Sequence, residues 1–201
     1  MGANNVTHAT LTHPNLAQVL WPATATNRIL RAVLLVVAGS ALLTVSARIQ
    51  VPFWPVPMTM QTAAVLLIGA TLGWRMAGAT VFAYLAQGAA GLPVFAAGGG
   101  LAYLAGPTGG FLVGFLAAAV VVGWLAERGW DRTMPAALSA MLIGNAVIFT
   151  LGIGYLATLI GFSSAIAAGL LPFLLGEALK IGLVAALMPF AWQIAGRRSI
   201  S

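Results

Sequence analysis

The sequence contains no cysteine, three acidic residues and two histidines in 201 residues. Without cysteine, disulfides, thiolate nucleophiles and sulfur-ligated metals are excluded. Both histidines, His8 and His13, lie near the start, and the carboxylates are confined to Glu127, Asp131 and Glu177. A metal centre or resident cofactor is therefore not expected. No Walker A sequence is present, and no pair of carboxylates within one apolar run suggests a proton relay. Charge itself is scarce: 6% of residues are charged, against about 25% in a soluble domain. Twelve charges (nine basic, three acidic) cannot hydrate the surface of a 20.6 kDa chain.

What is there instead is apolar. Hydrophobic residues make up 61% of the chain, and the mean hydropathy is +1.00. The natural solvent for most of this surface is lipid. The net charge of +6 raises the question of nucleic acid. The arginines, however, stand singly or in pairs between apolar runs and form no basic stripe, so no nucleic-acid partner is expected. That placement is characteristic of orientation signals.

A helix needs roughly 20 apolar residues to cross about 30 Å of hydrocarbon. The first run is Ile29 to Ala47, flanked by Arg28, Arg31 and Arg48. Ile49 to Pro57 follows, and Pro52, Pro55 and Pro57 predict a structured loop or cap, since proline cannot continue a helix. Thr59 to Gly73 and Met76 to Gly88 are two short runs separated by Trp74-Arg75. Gly91 to Gly110 is rich in glycine and proline yet uncharged, which predicts non-helical backbone folded against the protein. Phe111 to Ala126 is the fourth run, Glu127 to Arg132 a hydrophilic loop, Pro135 to about Ile160 the fifth run, and about Leu170 to Ile194 the sixth.

The expected fold is an all-α integral membrane protein, a compact bundle of about six transmembrane helices with structured Pro/Gly-rich outer loops. Residues 1–27 are expected to be a flexible cytoplasmic tail with one interfacial turn around Leu16 to Trp21, residues 28–195 the membrane domain, and 196–201 a short cytoplasmic tail. With the N-terminus inside, Arg28, Arg31, Arg75, Arg128, Arg132, Arg197 and Arg198 all fall on the cytoplasmic side, and Arg48 alone falls outside. The positive-inside rule then puts both termini in the cytoplasm.

Polar side chains at membrane depth are costly and mark candidate sites. Glu177 and Lys180 stand at i and i+3 and share one helix face. Counted from Leu170 at 1.5 Å per residue, Glu177 lies roughly 10 Å below the boundary. The pair is either a self-neutralising ion pair or a ligand-facing one; a lysine suits an anionic or carbonyl group, and a carboxylate suits N–H donors. Since buried ion pairs add little stability over apolar replacements, the ligand-facing reading is favoured. Asn145 in the fifth run fits an interhelical hydrogen bond or a ligand contact, and Tyr84, Gln87 and Tyr155 are weaker versions of the same case. Trp54 fits an interfacial anchor or a stacking surface. Ala38, Gly39, Ser40 and Ala41 would allow close approach of another helix.

Four pieces of the chain together resemble the BioY family, the biotin-binding S components of energy-coupling-factor vitamin transporters. They are Gln50-Val51-Pro52 with Pro55-Val56-Pro57-Met58-Thr59-Met60-Gln61-Thr62; Gly91-Leu92-Pro93-Val94-Phe95; Gly106-Pro107-Thr108-Gly109-Gly110-Phe111 with Gly114-Phe115; and Gly144-Asn145 with Gly176-Glu177-Ala178-Leu179-Lys180. The resemblance spans about residues 28 to 195. It implies an outward-facing vitamin pocket capped by the loop after the first helix. It also implies biotin as ligand, and delivery inward with a transmembrane T component and two cytoplasmic ATPases. With the polar residues read at membrane depth, the candidate pocket residues are Glu177, Lys180, Asn145, Tyr84, Gln87, Trp54, Thr108 and Gly109. Ala38 and Ala41 would face the T component. One departure is visible: the family usually has aspartate where this chain has Glu177, a difference of one methylene. The alternatives are an S component for another vitamin, a self-sufficient carrier or channel, and a membrane enzyme using Lys180 as nucleophile; no second acid, base or metal site accompanies that lysine.

Overall fold

A computed structural model describes residues 13–22 and 27–198, with side chains to residue 196. The outer parts of both expected tails (1–12 and 199–201), residues 23–26 and the Arg197 and Arg198 side chains lie outside the described residues. The elements in chain order are α1 (Leu16–Leu20), α2 (Arg28–Arg48), β1 (Gln50–Val51), β2 (Met58–Thr59), α3 (Gln61–Ala89), α4 (Leu101–Leu104), α5 (Gly109–Ala126), α6 (Met134–Ile160), α7 (Phe162–Gly169), a 3₁₀ turn (Leu171–Phe173) and α8 (Leu174–Arg198). In hydrocarbon every backbone N–H and C=O needs a partner within the protein, so apolar runs of this length become helices.

Helix α3 contains the two short runs in one element, and it is not straight. At Gly73 the backbone takes φ 75° and ψ 167°, a conformation nearly reserved for glycine. A continuous helix would set Gln61 and Tyr84 about 35 Å apart. Instead Gln61 Nε2 donates to Tyr84 Oη at 2.7 Å. α3 is thus a helical hairpin whose limbs, 61–72 and 74–89, fold back on each other. The limbs are about 18 Å and 24 Å long, which explains why both runs looked short for full spans. Among the described residues five helical stretches are long and apolar enough to cross a membrane; with α3 folded back at Gly73 they make six helical limbs, roughly consistent with the six spans expected from the sequence.

Three sequence-based expectations need correction. Residues 13–22 are not a loose tail: Asn15 caps α1 through a reciprocal box with Gln18, and its side chain also donates to the Leu72 carbonyl at 2.9 Å. Leu16 is buried against the bundle, within the turn anticipated around Leu16 to Trp21. The Gly91–Gly110 segment is not wholly non-helical, because α4 forms inside it. The last span begins at Leu174 rather than near Leu170, since Pro172 lies in the 3₁₀ turn that precedes it, and α7 fills part of the interval.

The buried side chains form two apolar clusters. The larger holds every fully or nearly buried aromatic ring: Tyr84, Phe95, Phe111, Phe115, Phe149 and Phe173. The smaller is aliphatic, with Leu66, Met141, Val184 and Met188 among alanines 63, 70, 126, 137, 185 and 195. Close contact between α5 and α6 depends on glycine: a Cβ on Gly114 would meet the Ile148 backbone at 2.9 Å.

Candidate functional site

A cavity enclosing about 480 Å³ of empty space, its open mouth included, lies under the β1–β2 loop. Val56, Pro57 and Thr59 of the loop form its lid, and Phe95 and Ala96 close one side. Phe111, Phe115 and Phe149 supply an aromatic wall from α5 and α6, and Phe173 completes it from the 3₁₀ turn. The rings pack edge-on: Phe111 and Phe149 stand 5.7 Å apart at 89°, and Phe149 and Phe173 6.1 Å apart at 70°. Such a wall suits an apolar ring or chain.

The polar groups gather at one side. Lys180 Nζ donates to the Thr59 carbonyl (2.6 Å), to Glu177 Oε1 (2.7 Å) and to Thr62 Oγ1 (3.2 Å). An ammonium has three donors, so all are engaged. Glu177 Oε1 also receives the Thr62 hydroxyl at 3.1 Å. Glu177 Oε2 is buried and has no hydrogen-bond partner among the described residues, and Glu177 lines the cavity. A buried acceptor left unpaired is costly, and a bound N–H donor would remove that cost.

Burial of the pair has a different origin from the one expected. Glu177 sits in the first turn of α8, so depth along the helix alone would not hide it. The lid does: Lys180 reaches the Thr59 carbonyl, and a Cβ on Gly176 would meet Met58 Sδ at 2.7 Å.

The model of the BioY family matches residues 15–197. The chain belongs to the BioY family. The biotin transporter BioY of Rhizobium etli is 41% identical over 150 residues, covering 70% of this chain and 79% of that protein. The biotin transporter BioY of Thermotoga maritima is 39% identical over 151 residues, covering 74% and 88%. A solved structure of the S-component for biotin from an ECF-type ABC transporter superposes with a TM-score of 0.73 at 22% identity, over 85% of this chain and 95% of that one. That likeness shows a shared fold. The relatives are transporters, and this member of the family is not an enzyme.

Of the candidate pocket residues, Glu177 and Thr108 line the cavity. Lys180 stands behind Glu177 with its donors turned to the protein. Gly109 opens α5 so close to the Leu104 carbonyl that a Cβ would overlap it, so it shapes the wall's backbone. Tyr84 is fully buried, accepts from Gln61 and donates to the Val94 carbonyl at 3.0 Å, fastening the Phe95 loop to α3. Gln87 accepts from Ser40 Oγ at 3.1 Å and ties α3 to α2. Asn145 is half-buried on α6, off the cavity lining, with Oδ1 buried and without a hydrogen-bond partner among the described residues. Trp54 is 86% exposed at the tip of the lid loop, off the lining. Tyr155 donates to the Ala105 carbonyl at 2.9 Å, behind the α4–α5 turn.

The small residues of α2 divide between two faces. Gly39 and Ser40 are buried against α3, whereas Ala38 and Ala41 are exposed.

Sequence reasoning missed Gln61 and Thr62 as site residues although both stood in the quoted motif. A polar pair opening an otherwise apolar run was the available signal. Phe111 and Phe115 also stood in a quoted motif, but Phe149 and Phe173 offered no signal, because an aromatic ring in an apolar segment reads the same whether it meets lipid or a cavity.

Proposed function

We propose that this multi-pass membrane protein is the biotin-capturing subunit of a vitamin uptake transporter. The pocket mouth lies on the outer side, and both termini are cytoplasmic. The observation that carries the reading is the unpartnered Glu177 Oε2 inside an aromatic cavity, on a chain of the BioY family. Biotin's ureido N–H groups suit that oxygen, and its thiophane and valeryl chain suit the phenylalanine wall. Lys180 acts through Glu177 in this reading: it holds Oε1 of the carboxylate in place by a hydrogen bond and ties the lid to α8. Thr108 and Gln61 are further polar contacts on the lining.

The substrate then passes inward with a transmembrane T component and two cytoplasmic ATPases. Ala38 and Ala41 lie on the docking face, which fits their exposure on α2. The closeness of the ends supports the orientation: Arg75, Arg128 and Arg132 gather at the end opposite the lid, while Arg48 reaches the Pro93 carbonyl beside it.

The test is calorimetric titration of detergent-purified protein, stripped of vitamin, with biotin. Saturable one-to-one binding on the order of nanomolar to micromolar is expected. A folded, ligand-free sample that gives no binding overturns the reading. A competition panel of other vitamins distinguishes a different ligand of the same fold. Tryptophan at Ala38 or Ala41 should spare biotin binding and impair uptake coupled to the partners; unimpaired uptake removes α2 from the docking face.

A further inference from the structure

The end of the bundle opposite the pocket carries an unusual surface. Of the six tryptophans, Trp54 alone is at the lid; Trp21 follows α1, Trp74 opens the second limb of α3, Trp124 is near the end of α5, Trp130 lies in the 127–133 loop and Trp192 is in the last turns of α8. Hydrogen bonds and close contacts bring these elements together. His13 N donates to the Glu127 carbonyl at 2.7 Å, Trp192 Nε1 donates to Asp131 Oδ2 at 2.6 Å, and a Cβ on Gly123 would meet the Trp74 backbone at 2.5 Å.

Arginines lie over three of the rings. Arg128 stands 3.3 Å above the centre of Trp124, Arg132 4.4 Å above Trp192, and Arg75 5.0 Å above Trp74. Trp21, Trp74, Trp124 and Trp130 are each partly exposed, between 37% and 46%.

The acidic groups of this face are withdrawn. Asp131 is buried, and Glu127 is half-buried beside Arg75 and Arg128. Burial pushes both carboxyls above their ordinary range, against the pull of the neighbouring arginines. Glu177, the third acid, is buried at the other end. Arg28, Arg75, Arg128 and Arg132 are exposed, so the exposed charge at this end among the described residues is cationic.

We propose that this arginine–tryptophan face binds anionic phospholipid headgroups, with Arg75 and Arg128 as the principal phosphate contacts. Guanidinium forks match phosphate oxygens in pairs, and half-exposed indoles sit where headgroups meet acyl chains. The rings come from five separate elements, which fits a leaflet more closely than one patch on a partner. Headgroup contacts there set the height and tilt of the bundle at that leaflet.

The test exploits the tryptophans themselves. The full chain is reconstituted in phosphatidylcholine vesicles containing either brominated phosphatidylglycerol or brominated phosphatidylcholine, and fluorescence quenching is followed. The phosphatidylglycerol should associate about fivefold more strongly per engaged arginine. Adding salt should reduce the preference, since exposed charges are screened. The double substitution Arg75→Gln/Arg128→Gln should bring the two lipids close to parity, while Arg48→Gln at the lid end keeps the preference. Equal quenching by the two lipids overturns the proposal, as does a preference indifferent to salt or retained in the double variant. Binding of an acidic partner protein without any lipid preference overturns it too. The salt series uses the unaltered chain, so it decides even where the double variant does not fold.

Discussion

The two apolar clusters are built from different material. The cluster beside the lid holds the aromatic rings and the cavity, and the charged pair borders it; the other holds alanines and aliphatic chains. Phenylalanine rings that meet edge-on leave space a ligand can fill, whereas alanines allow helices to approach until little space remains. The same lipid-compatible composition thus yields one region suited to binding and one suited to holding helices together. In the first, an acceptor is left unpaired, at the expense of stability.

The largest effect that would test this contrast is Lys180→Ala. It strands Glu177 without its cation, and breaking a buried pair this way costs about 3–5 kcal/mol. Thermal unfolding in detergent should show that loss, with biotin affinity at least tenfold weaker. Unchanged affinity would remove Lys180 from any role in the site.

Next come two truncations, one in each cluster. Phe149→Ala should cost about 3–5 kcal/mol of stability and Met141→Ala about 2–5 kcal/mol. Only Phe149→Ala should also weaken biotin, because Met141 does not line the cavity. Parallel affinity losses in both variants would erase the functional difference between the clusters.

A smaller loss is expected for Gly73→Ala. The hairpin turn there has φ 75°, and a Cβ would crowd Glu127 and Asn15. Strain of this kind costs about 1–3 kcal/mol. A variant as stable as the parent chain would mean that the turn relaxes freely.

The smallest effect belongs to Asp131→Asn at the rim. Burial raises the Asp131 carboxyl, so its ionisation opposes folding; stability should fall as pH rises from the ordinary aspartate range through the raised value. Unfolding midpoints compared at acidic and neutral pH should show a slight rise for the variant at neutral pH and a weaker decline. An identical pH profile would show that Asp131 carries no such cost.

Much of this was legible in the sequence and some was not, for physical reasons that particular residues make plain. Scarce charge and long apolar runs dictated a membrane protein with about six crossings, because insertion depends on summed hydropathy, which is local. The arginine spacing carried the expectation that both termini are cytoplasmic, and the i, i+3 spacing of Glu177 and Lys180 marked a candidate site beside which the structure has a cavity. The tertiary structure decided the rest. Only folding back at Gly73 brings Gln61 to Tyr84, and only the lid's closure buries a pair lying in the first turn of its helix. The phenylalanine wall stayed hidden because lipid and protein interior are equally apolar, so helices in a membrane carry little periodic sign of which face turns inward. Which rings surround a cavity depends on helix neighbours far apart in the chain, and that is a property of packing.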